Sequence, residues 1–200
     1  MTARIDAQVA FLNEADRLKS ITRATPLCDA SRYENSAEHS WQIALYALVL
    51  GEHADPQVRI DRVIRMLLIH DIVEIDAGDA PVFGEHDASA MAAREEAAAK
   101  RLFGLLPEDQ AAELIALWRE FEANETPDAQ FAKSIDRFQT PNQNMAAGGG
   151  SWRDYNVSFD TFLARVGSKV ANGAPKLWHW LEPRARRWFD THSEDARKGG

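Results

Sequence analysis

The chain has 200 residues, of which 45% are hydrophobic and 27% charged, proportions typical of a soluble globular protein. Its 23 basic and 31 acidic residues give a net charge of −8, which argues against a protein that follows nucleic-acid phosphates with a basic face. The single cysteine, Cys28, excludes an intramolecular disulfide and a cysteine-based zinc site.

Length and hydropathy also limit the kind of protein. We expect one domain over residues 1–200. A domain of this size buries roughly 70% of the surface of its unfolded chain, so its core needs no structural metal. The longest apolar run, Ile43 to Leu50, is far shorter than the ~20 residues of a membrane span. The first residues lack the apolar segment of a secretory signal. We therefore expect a soluble, cytoplasmic protein with no membrane partner.

Helical periodicity dominates the chain, and no segment shows sustained alternation of apolar and polar residues, so the predicted fold class is all-α. The first predicted helix carries five apolar residues on one face: Val9, Leu12, Ala15, Leu18 and Ile21. Residues 22–33, which include Pro26, are predicted to form a loop. Asn35 and Glu38 have the pattern of a capping box that opens a second helix, ending at Leu50.

Caps and breakers predict the later elements. Asp55-Pro56 pairs a cap with a proline at the first helical position, which predicts a third helix through His70. Residues 76–85 hold two glycines and a proline and are predicted to be a loop. Further helices are predicted at 87–103, from Pro107 through Trp118, from Thr126-Pro127 through Phe138, at 158–170 and at 175–187. The glycines at 148–150 break the chain, and Pro183 is expected to kink or shorten the last helix.

Four ionisable residues interrupt apolar helical segments. His70 and Asp71 end the third helix, His39 lies one turn into the second, and Asp136 lies in the helix that begins near Thr126. Buried charges need partners, and imidazoles and carboxylates are ligands that manganese, cobalt, iron and zinc accept. Together the four could hold one ion and leave positions for water and a phosphate oxygen. The alternative of hydrogen-bonded core residues stays open, because a lone histidine on an apolar helix face is usually of that kind.

The order of these residues resembles the H…HD…D signature of the HD-domain metal-dependent phosphohydrolases. Four blocks are similar to the 5′-deoxynucleotidase branch of that family: Glu34-Asn-Ser-Ala-Glu-His39-Ser, His70-Asp-Ile-Val-Glu74, Gly78-Asp79-Ala-Pro81 and Lys133-Ser-Ile-Asp136. The resemblance covers residues 18–138, and helices within residues 158–190 are expected to pack on this core. It implies a helical HD-domain bundle.

The resemblance also implies a chemistry. One divalent ion (Mn, Co, Fe, Zn or Mg) would be held by His39, His70, Asp71 and Asp136. The reaction would release phosphate from nucleoside 5′-monophosphates, with deoxyribonucleotides as the expected substrates. A bound divalent ion acidifies water and shields the phosphoryl oxygens, so no nucleophilic serine or cysteine is required.

Further roles follow from the same resemblance. Glu74 lies four positions after His70 and would position or deprotonate the attacking water, and Asp79 would serve the leaving oxygen or the sugar. Arg23 matches an arginine that contacts the substrate phosphate, although the tryptophan that follows it in the family is Ala24 here. The remaining expected substrate contacts are Asp79, Ala80, Pro81 and Lys133. For Lys133 a structural ion pair is equally compatible with the sequence.

Alternatives remain open from the sequence. The same site could act on a cyclic nucleotide, a nucleoside triphosphate or a hyperphosphorylated guanine nucleotide, or the chain could be a metal-binding helical module without catalysis. His86 could add a ligand for a second ion. Trp178, Trp180 and Trp188 interleave with arginines, and the negative net charge favours a packing or dimer surface there over a nucleic-acid site. We expect a homodimer, a nucleotide substrate and no nucleic-acid partner.

Overall fold

The computed structural model describes residues 2–198, and it describes the side chains of residues 2–192. The helices are α1 (Thr2–Ala15), α2 (Ser36–Leu50), α3 (Ile60–Ile69), α4 (Glu74–Ala77), α5 (Ala88–Phe103), α6 (Glu108–Ala123), α7 (Pro127–Ala146), α8 (Ser151–Asp154), α9 (Phe159–Phe162), α10 (Ser168–Gly173) and α11 (Pro175–Lys198). Short 3₁₀ turns span Asp16–Ser20, Gly51–His53 and His70–Val73, and a π-helical turn spans Leu163–Gly167. The predicted all-α class is confirmed.

Two of the predicted cap signals, at Asn35 and Thr126, begin helices as expected. Asn35 accepts a 2.9 Å hydrogen bond from the Glu38 amide while the Glu38 carboxylate accepts one of 3.1 Å from the Asn35 amide, so the capping box opens α2. The Asp87 and Thr126 side chains cap α5 and α7 in the same way. The glycines at 148–150 all have positive φ, which explains why the chain turns there after α7.

The prediction for the N-terminal segment is wrong in its packing face. α1 buries Phe11 rather than Val9 and Leu12, which are 46% and 63% exposed. The reason is that α1 packs on α5, where the rings of Phe11 and Phe103 have centroids 6.0 Å apart. The helix ends at Ala15 and gives way to the 3₁₀ turn, so the predicted continuous helix towards Ile21 does not form.

The predicted loop at residues 22–33 is also wrong in part. Strands β1 (Thr22–Pro26) and β2 (Tyr33–Asn35) form an antiparallel ribbon. The Leu27 amide donates to the Arg32 carbonyl at 2.9 Å and closes the connection between the strands. Pairing across the ribbon satisfies backbone groups that a loop would leave to water, and it carries Arg23 into the interior.

Two further boundaries differ from the prediction. The third helix begins at Ile60, because the Asp55 carboxylate accepts a hydrogen bond from the Gln57 amide and closes a local turn instead of capping a helix. α11 continues through Pro183 and is not shortened there. A buried stripe of Leu181, Ala185 and Phe189 packs this helix into the core, and that burial outweighs the cost of the proline, about 3 kcal/mol.

α7 is the central element, and α2, α3, α6, α10 and α11 pack against it around the main hydrophobic core. The aromatic C-terminal segment is a packing face, as favoured by its composition: the Phe189 and Trp152 rings have centroids 4.6 Å apart. α1, α5 and α6 enclose a second apolar cluster around Leu102 and Phe103. Within residues 2–198, no helix combines the length and the apolar character that crossing a bilayer requires. The chain therefore places α2, the end of α3 and α7 side by side.

Candidate active site

His39 is positioned by the capping box of α2. With the first turn fixed at Asn35, His39 lies on the same buried face as Ile43, and its side chain is fully buried. Its Nε2 lies 3.0 Å from Asp136 Oδ1, and its Nδ1 lies 3.5 Å from Glu34 Oε1. One ring nitrogen thus faces the Asp136 carboxylate of α7, and the other faces a buried carboxylate from the ribbon.

His70 and Asp71 lie in the 3₁₀ turn that follows α3. His70 Nδ1 lies 2.8 Å from the Leu67 carbonyl oxygen, which can only accept, so Nδ1 carries a hydrogen and Nε2 is the nitrogen that can bind an ion. That Nε2 lies 2.8 Å from Asp71 Oδ1 and 4.0 Å from Asp136 Oδ1. The backbone hydrogen bond therefore selects the tautomer that a metal ligand needs.

The structure brings three of the four predicted ligands together. His39, His70 and Asp136 each offer a ligand atom, and these atoms lie within 4.8 Å of one another. Asp71 is not part of that group of atoms but borders it, with Oδ2 3.9 Å from His39 Nε2 and Oδ1 2.8 Å from His70 Nε2. Bonds of about 2.1 Å from a single ion would put its ligand atoms roughly 3–4 Å apart. Mixed imidazole and carboxylate donors at this spacing fit a divalent first-row ion.

Neighbouring charges keep the two aspartates ionised. Burial raises the pKa of Asp136, but Arg137 and His39 outweigh burial and hold that pKa well below its ordinary value. Burial also raises the pKa of Asp71, yet the adjacent His70 contributes most to lowering it to about 2. Both carboxylates are therefore available as anionic ligands at neutral pH.

His39 shows the opposite balance. Burial and the nearby Arg23 lower the pKa of His39, but its hydrogen bond with Asp136 and the nearby Glu34 carboxylate outweigh both and raise it to about 9. In the absence of an ion, His39 is thus a protonated imidazolium among carboxylates at neutral pH. A metal and a proton compete for the same ring nitrogen.

Arg23 lies within a group of four carboxylates. Its Nη1 donates a 3.0 Å hydrogen bond to Asp71 Oδ2 and lies 3.5 Å from Asp79 and 3.7 Å from Glu74. Its Nε lies 3.3 Å from Glu34 Oε1. Burial lowers the pKa of Arg23, but the four carboxylates outweigh it and raise that pKa. In the folded protein Arg23 neutralises part of the charge of these four carboxylates. It also lines the cavity described below.

Glu74 and Asp79 form a carboxyl pair beside the aspartate Asp71. Glu74 opens α4 rather than continuing α3, so it reaches the site through the 3₁₀ turn and not through one α-helical turn from His70. Its Oε2 accepts a 2.5 Å hydrogen bond from Ser36 Oγ, and it is hydrogen-bonded to Asp79. Burial and Asp71 raise the pKa of Glu74 well above its ordinary value, and burial raises that of Asp79. Carboxyls of raised pKa suit proton transfer near neutral pH.

A cavity of about 470 Å³ adjoins the cluster. Its lining includes the expected substrate contacts Asp79, Ala80, Pro81 and Lys133, together with Ala24. Lys133 Nζ lies 2.9 Å from Glu122 Oε1 and 4.0 Å from the centre of the Phe121 ring, so it makes the structural ion pair that the sequence left open. His86 also lines the cavity but lies outside the cluster of ligand atoms found among the described residues.

Glu34 is a site residue to which the sequence analysis assigned no role. It is 1% exposed, and its Oε2 accepts hydrogen bonds from Gln139 Nε2 at 3.3 Å and Gln143 Nε2 at 3.1 Å. Gln42 Oε1 accepts from both of these amides. Glu34 is the first residue of the sequence block that contains His39, and this position could have indicated a role at the site. Only the geometry of the ribbon shows that the two side chains meet.

Two histidines and two aspartates lie beside an open cavity in this helical fold, an arrangement typical of a metal-binding site. Comparison with known proteins agrees with this assignment. A family model described as HD domain matches residues 15–178. The chain therefore belongs to the HD-domain family.

Individual relatives support this assignment. The 5′-deoxynucleotidase HDDC2 of Homo sapiens is 32% identical over 128 residues, which cover 64% of this chain and 61% of that protein. A 5′-deoxynucleotidase of Enterobacter sp. (strain 638) is 31% identical over 127 residues, which cover 60% of this chain and 63% of that protein. The chain thus spans about three fifths of the length of these curated relatives. The crystal structure of a predicted metal-dependent phosphohydrolase from Magnetospirillum magnetotacticum MS-1 is 47% identical, with a TM-score of 0.84 over 98% of this chain and 97% of that one.

Proposed function

We propose that this protein is a divalent-metal-dependent phosphohydrolase that releases phosphate from nucleoside 5′-monophosphates, with deoxyribonucleotides as its substrates. The observation that carries the proposal is the meeting of His39, His70 and Asp136, from three separate elements, beside a cavity of about 470 Å³. A phosphomonoester dianion repels an anionic nucleophile. A divalent ion at this position would reduce that repulsion by neutralising charge on the phosphoryl oxygens.

The ligands in this proposal are His39, His70, Asp71 and Asp136. Their donor types suit manganese, cobalt, iron, zinc or magnesium. An ion bound there supplies Lewis-acid chemistry, which neutralises charge on the phosphoryl oxygens and makes water a stronger acid.

Glu74 and Asp79, the carboxyl pair, carry out the proton transfers. Glu74, held by Ser36, accepts in its ionised form a proton from the water whose oxygen forms the new bond to phosphorus, and the positive charge of a bound ion would favour that ionised form. Asp79, whose pKa burial raises, gives its proton to the 5′-oxygen as the phosphorus–oxygen bond of the substrate breaks. The products are inorganic phosphate and a nucleoside. Arg23, Ala80, Pro81 and Lys133 line the cavity around the substrate.

The names of the relatives support the choice of substrate. Two curated relatives at 32% and 31% identity are 5′-deoxynucleotidases.

A phosphate-release assay tests the function. Purified protein is stripped of metal, reloaded with each candidate ion, and given deoxynucleoside and ribonucleoside 5′-monophosphates, a cyclic nucleotide and a nucleoside triphosphate. We expect metal-dependent release from the deoxynucleoside monophosphates and its loss in Asp71→Ala. Asp61→Ala, an exposed aspartate on α3, is the matched control and should keep full activity. Equal background rates for wild type and Asp71→Ala would rule the function out.

We also propose that the protein is a single-domain homodimer of the cytoplasm, where its nucleotide substrates occur. α2 presents an uncharged outer row in which Trp41, Leu48 and Val49 are each more than 60% exposed. Exposed apolar strips of this kind mark interaction surfaces. An interface without charged side chains adds no close like-charge contacts to the repulsion between two copies of net charge −8, so a second copy fits this row.

Light scattering after gel filtration tests the dimer. Leu48→Glu on the α2 row should give monomers, whereas Leu12→Glu, an equally exposed leucine on α1, should leave dimers intact. A monomeric wild type, or a dimer broken only by Leu12→Glu, would refute this assignment. Cell fractionation tests the location.

A further inference from the structure

The cavity has a second charged wall that the proposed reaction does not yet use. Lys133, Arg137 and Lys169 all line the cavity that adjoins the His–Asp cluster. Lys133 and Arg137 are one turn apart on α7, and Lys169 comes from α10. This cationic wall, defined by these three residues, lies in a protein whose net charge is −8.

The seam between α7 and α10 holds the wall together. Ser134 Oγ lies 2.8 Å from the Gln130 carbonyl oxygen of its own helix and 3.0 Å from the Lys169 carbonyl oxygen, which share its one hydrogen, and it accepts from the Gly173 amide at 3.1 Å. The two contacts with α10 fix the backbone of α10 against α7, so Lys169 is held beside Arg137 by the fold. Arg137 and Lys133 both lower the pKa of Lys169, with Arg137 as the largest cause, which shows that the three charges interact.

The cations differ in how far carboxylates already neutralise them. Lys133 pairs with Glu122 at 2.9 Å. Arg137 Nε lies 3.4 Å from Asp136 Oδ2 but makes no hydrogen bond, although it is buried. Within the described side chains, no carboxylate oxygen comes within ion-pair distance of the Lys169 ammonium. Arg137 and Lys169 therefore remain available to an anion.

Arg23, on the other wall, stands in contrast. It is 12% exposed and already faces Glu34, Asp71, Glu74 and Asp79. A phosphate that approaches Arg23 also approaches four acids, whereas a phosphate beside Arg137 and Lys169 meets two cations and has Asp136 and Glu122 as the neighbouring carboxylates. Charge-assisted hydrogen bonds from such cations are short and strong.

We propose that Arg137 and Lys169 form the phosphate-binding wall of the site and select a phosphomonoester dianion over a phosphodiester monoanion. The inference rests on the proposed function, since it assigns the phosphate of that substrate to this wall. Lys133 remains paired with Glu122, and its ammonium adds to the positive charge on this side of the cavity. A dianion gains from both cations, while a diester carries one negative charge and gains less.

Binding of inorganic phosphate to the manganese-loaded protein tests the wall without any turnover. Calorimetry should show binding to wild type that weakens about 10- to 100-fold in Lys169→Met and in Arg137→Met. Lys169→Arg keeps the charge and should retain most of the affinity. Lys100→Met, an exposed lysine of α5, should change nothing, and manganese affinity should be unchanged in Lys169→Met. This last measurement separates lost phosphate contacts from a damaged metal site.

Kinetics give the second readout. Lys169→Met should raise KM for a monoester about as much as it weakens phosphate binding, with a smaller effect on kcat. The monoester-over-diester preference should fall by a similar factor. Equal phosphate affinity in wild type and Lys169→Met, or no phosphate binding by wild type, would overturn the wall. Phosphate binding that depends on Lys169, in a protein that hydrolyses no nucleotide, would leave the wall standing and overturn the proposed function instead.

Discussion

Glu34 and His39 meet inside the protein, with Glu34 Oε1 3.5 Å from the Nδ1 of the imidazole whose Nε2 faces Asp136. A carboxylate at this position orients the ring and makes the opposite nitrogen a stronger ligand. Gln139 and Gln143 hold the other oxygen of Glu34, so the carboxylate is itself fixed in place. Glu34 is thus a positioning residue that acts through His39.

Replacing Glu34 tests this role. Glu34→Gln should weaken metal binding about 10- to 100-fold, because the amide has no charge with which to support the imidazole. Glu34→Asp should recover part of that affinity. Metal titration followed by calorimetry is the measurement, and Glu38→Gln, at the capping box, is the control for a change confined to the start of α2. Unchanged metal affinity in Glu34→Gln would contradict the positioning role.

The protonation of His39 predicts a pH dependence. Its pKa rises from an ordinary 6.5 to about 9 in the metal-free fold. A group whose pKa is higher in the folded state stabilises that state fully below the unfolded pKa, and this stabilisation is lost as the pH rises through the folded pKa. The Tm of the metal-free protein should therefore fall between pH 6.5 and 9, and His39→Gln should remove that part of the fall.

Manganese should reverse the trend, because the ion takes the place of the proton and its affinity rises with pH. Thermal unfolding with chelator and with manganese, over the same pH series, gives both curves. His179→Gln, an exposed histidine of α11, should behave as wild type. A profile that His39→Gln leaves unaltered would count against the charged state of His39.

Local signals explain why much of the fold could be predicted. The Asn35 and Glu38 capping box and the Thr126 cap with Pro127 each act within one helical turn, so residue identity alone reveals them. The candidate ligands came from spacing and family resemblance, and the structure brings His39, His70 and Asp136 within 4.8 Å.

Other features depend on contacts between distant segments. The ribbon of residues 22–35 has irregular register and no alternating pattern, so no local signal marks its strands. The burial of Phe11 instead of Leu12 depends on where α5 lies. Likewise Lys169 gains its place beside Arg137 only when α10 packs on α7. Local secondary-structure propensity does not predict these contacts between distant segments.

The charge of Arg23 predicts a linked effect of mutation and metal. Arg23→Gln leaves the carboxylates around it without their cation, and loss of one partner from a buried ionic group costs about 3–5 kcal/mol. Added manganese should restore part of that stability, since the ion supplies positive charge to the same group. Urea unfolding with and without manganese measures both effects.

Arg65→Gln is the control for Arg23, because Arg65 pairs with Glu113 at the surface. It should cost less than about 1 kcal/mol and show no dependence on metal. An Arg23→Gln protein as stable as wild type without metal would show that the four acids do not require the guanidinium.

The packing of α10 on α7 makes the sharpest stability prediction. A Cβ added at Gly173 would collide with the carbonyl oxygen of Gln130 and lie 2.6 Å from Ser134 Oγ, and the backbone carbonyl cannot move aside. Gly173→Ala should therefore cost about 3 kcal/mol, the upper part of the range for overpacking. Gly148→Ala has open space around it but a φ of +74°, so it should cost only about 1–2 kcal/mol.

The two alanine variants separate a collision from backbone strain, and equilibrium urea unfolding gives both free energies. Because Ser134 also holds Lys169, Gly173→Ala should weaken phosphate binding as well, whereas Gly148→Ala should not. If Gly173→Ala were no less stable than Gly148→Ala, α10 would not pack on α7 as closely as the structure requires. The cationic wall would then lose the seam that holds Lys169 in place.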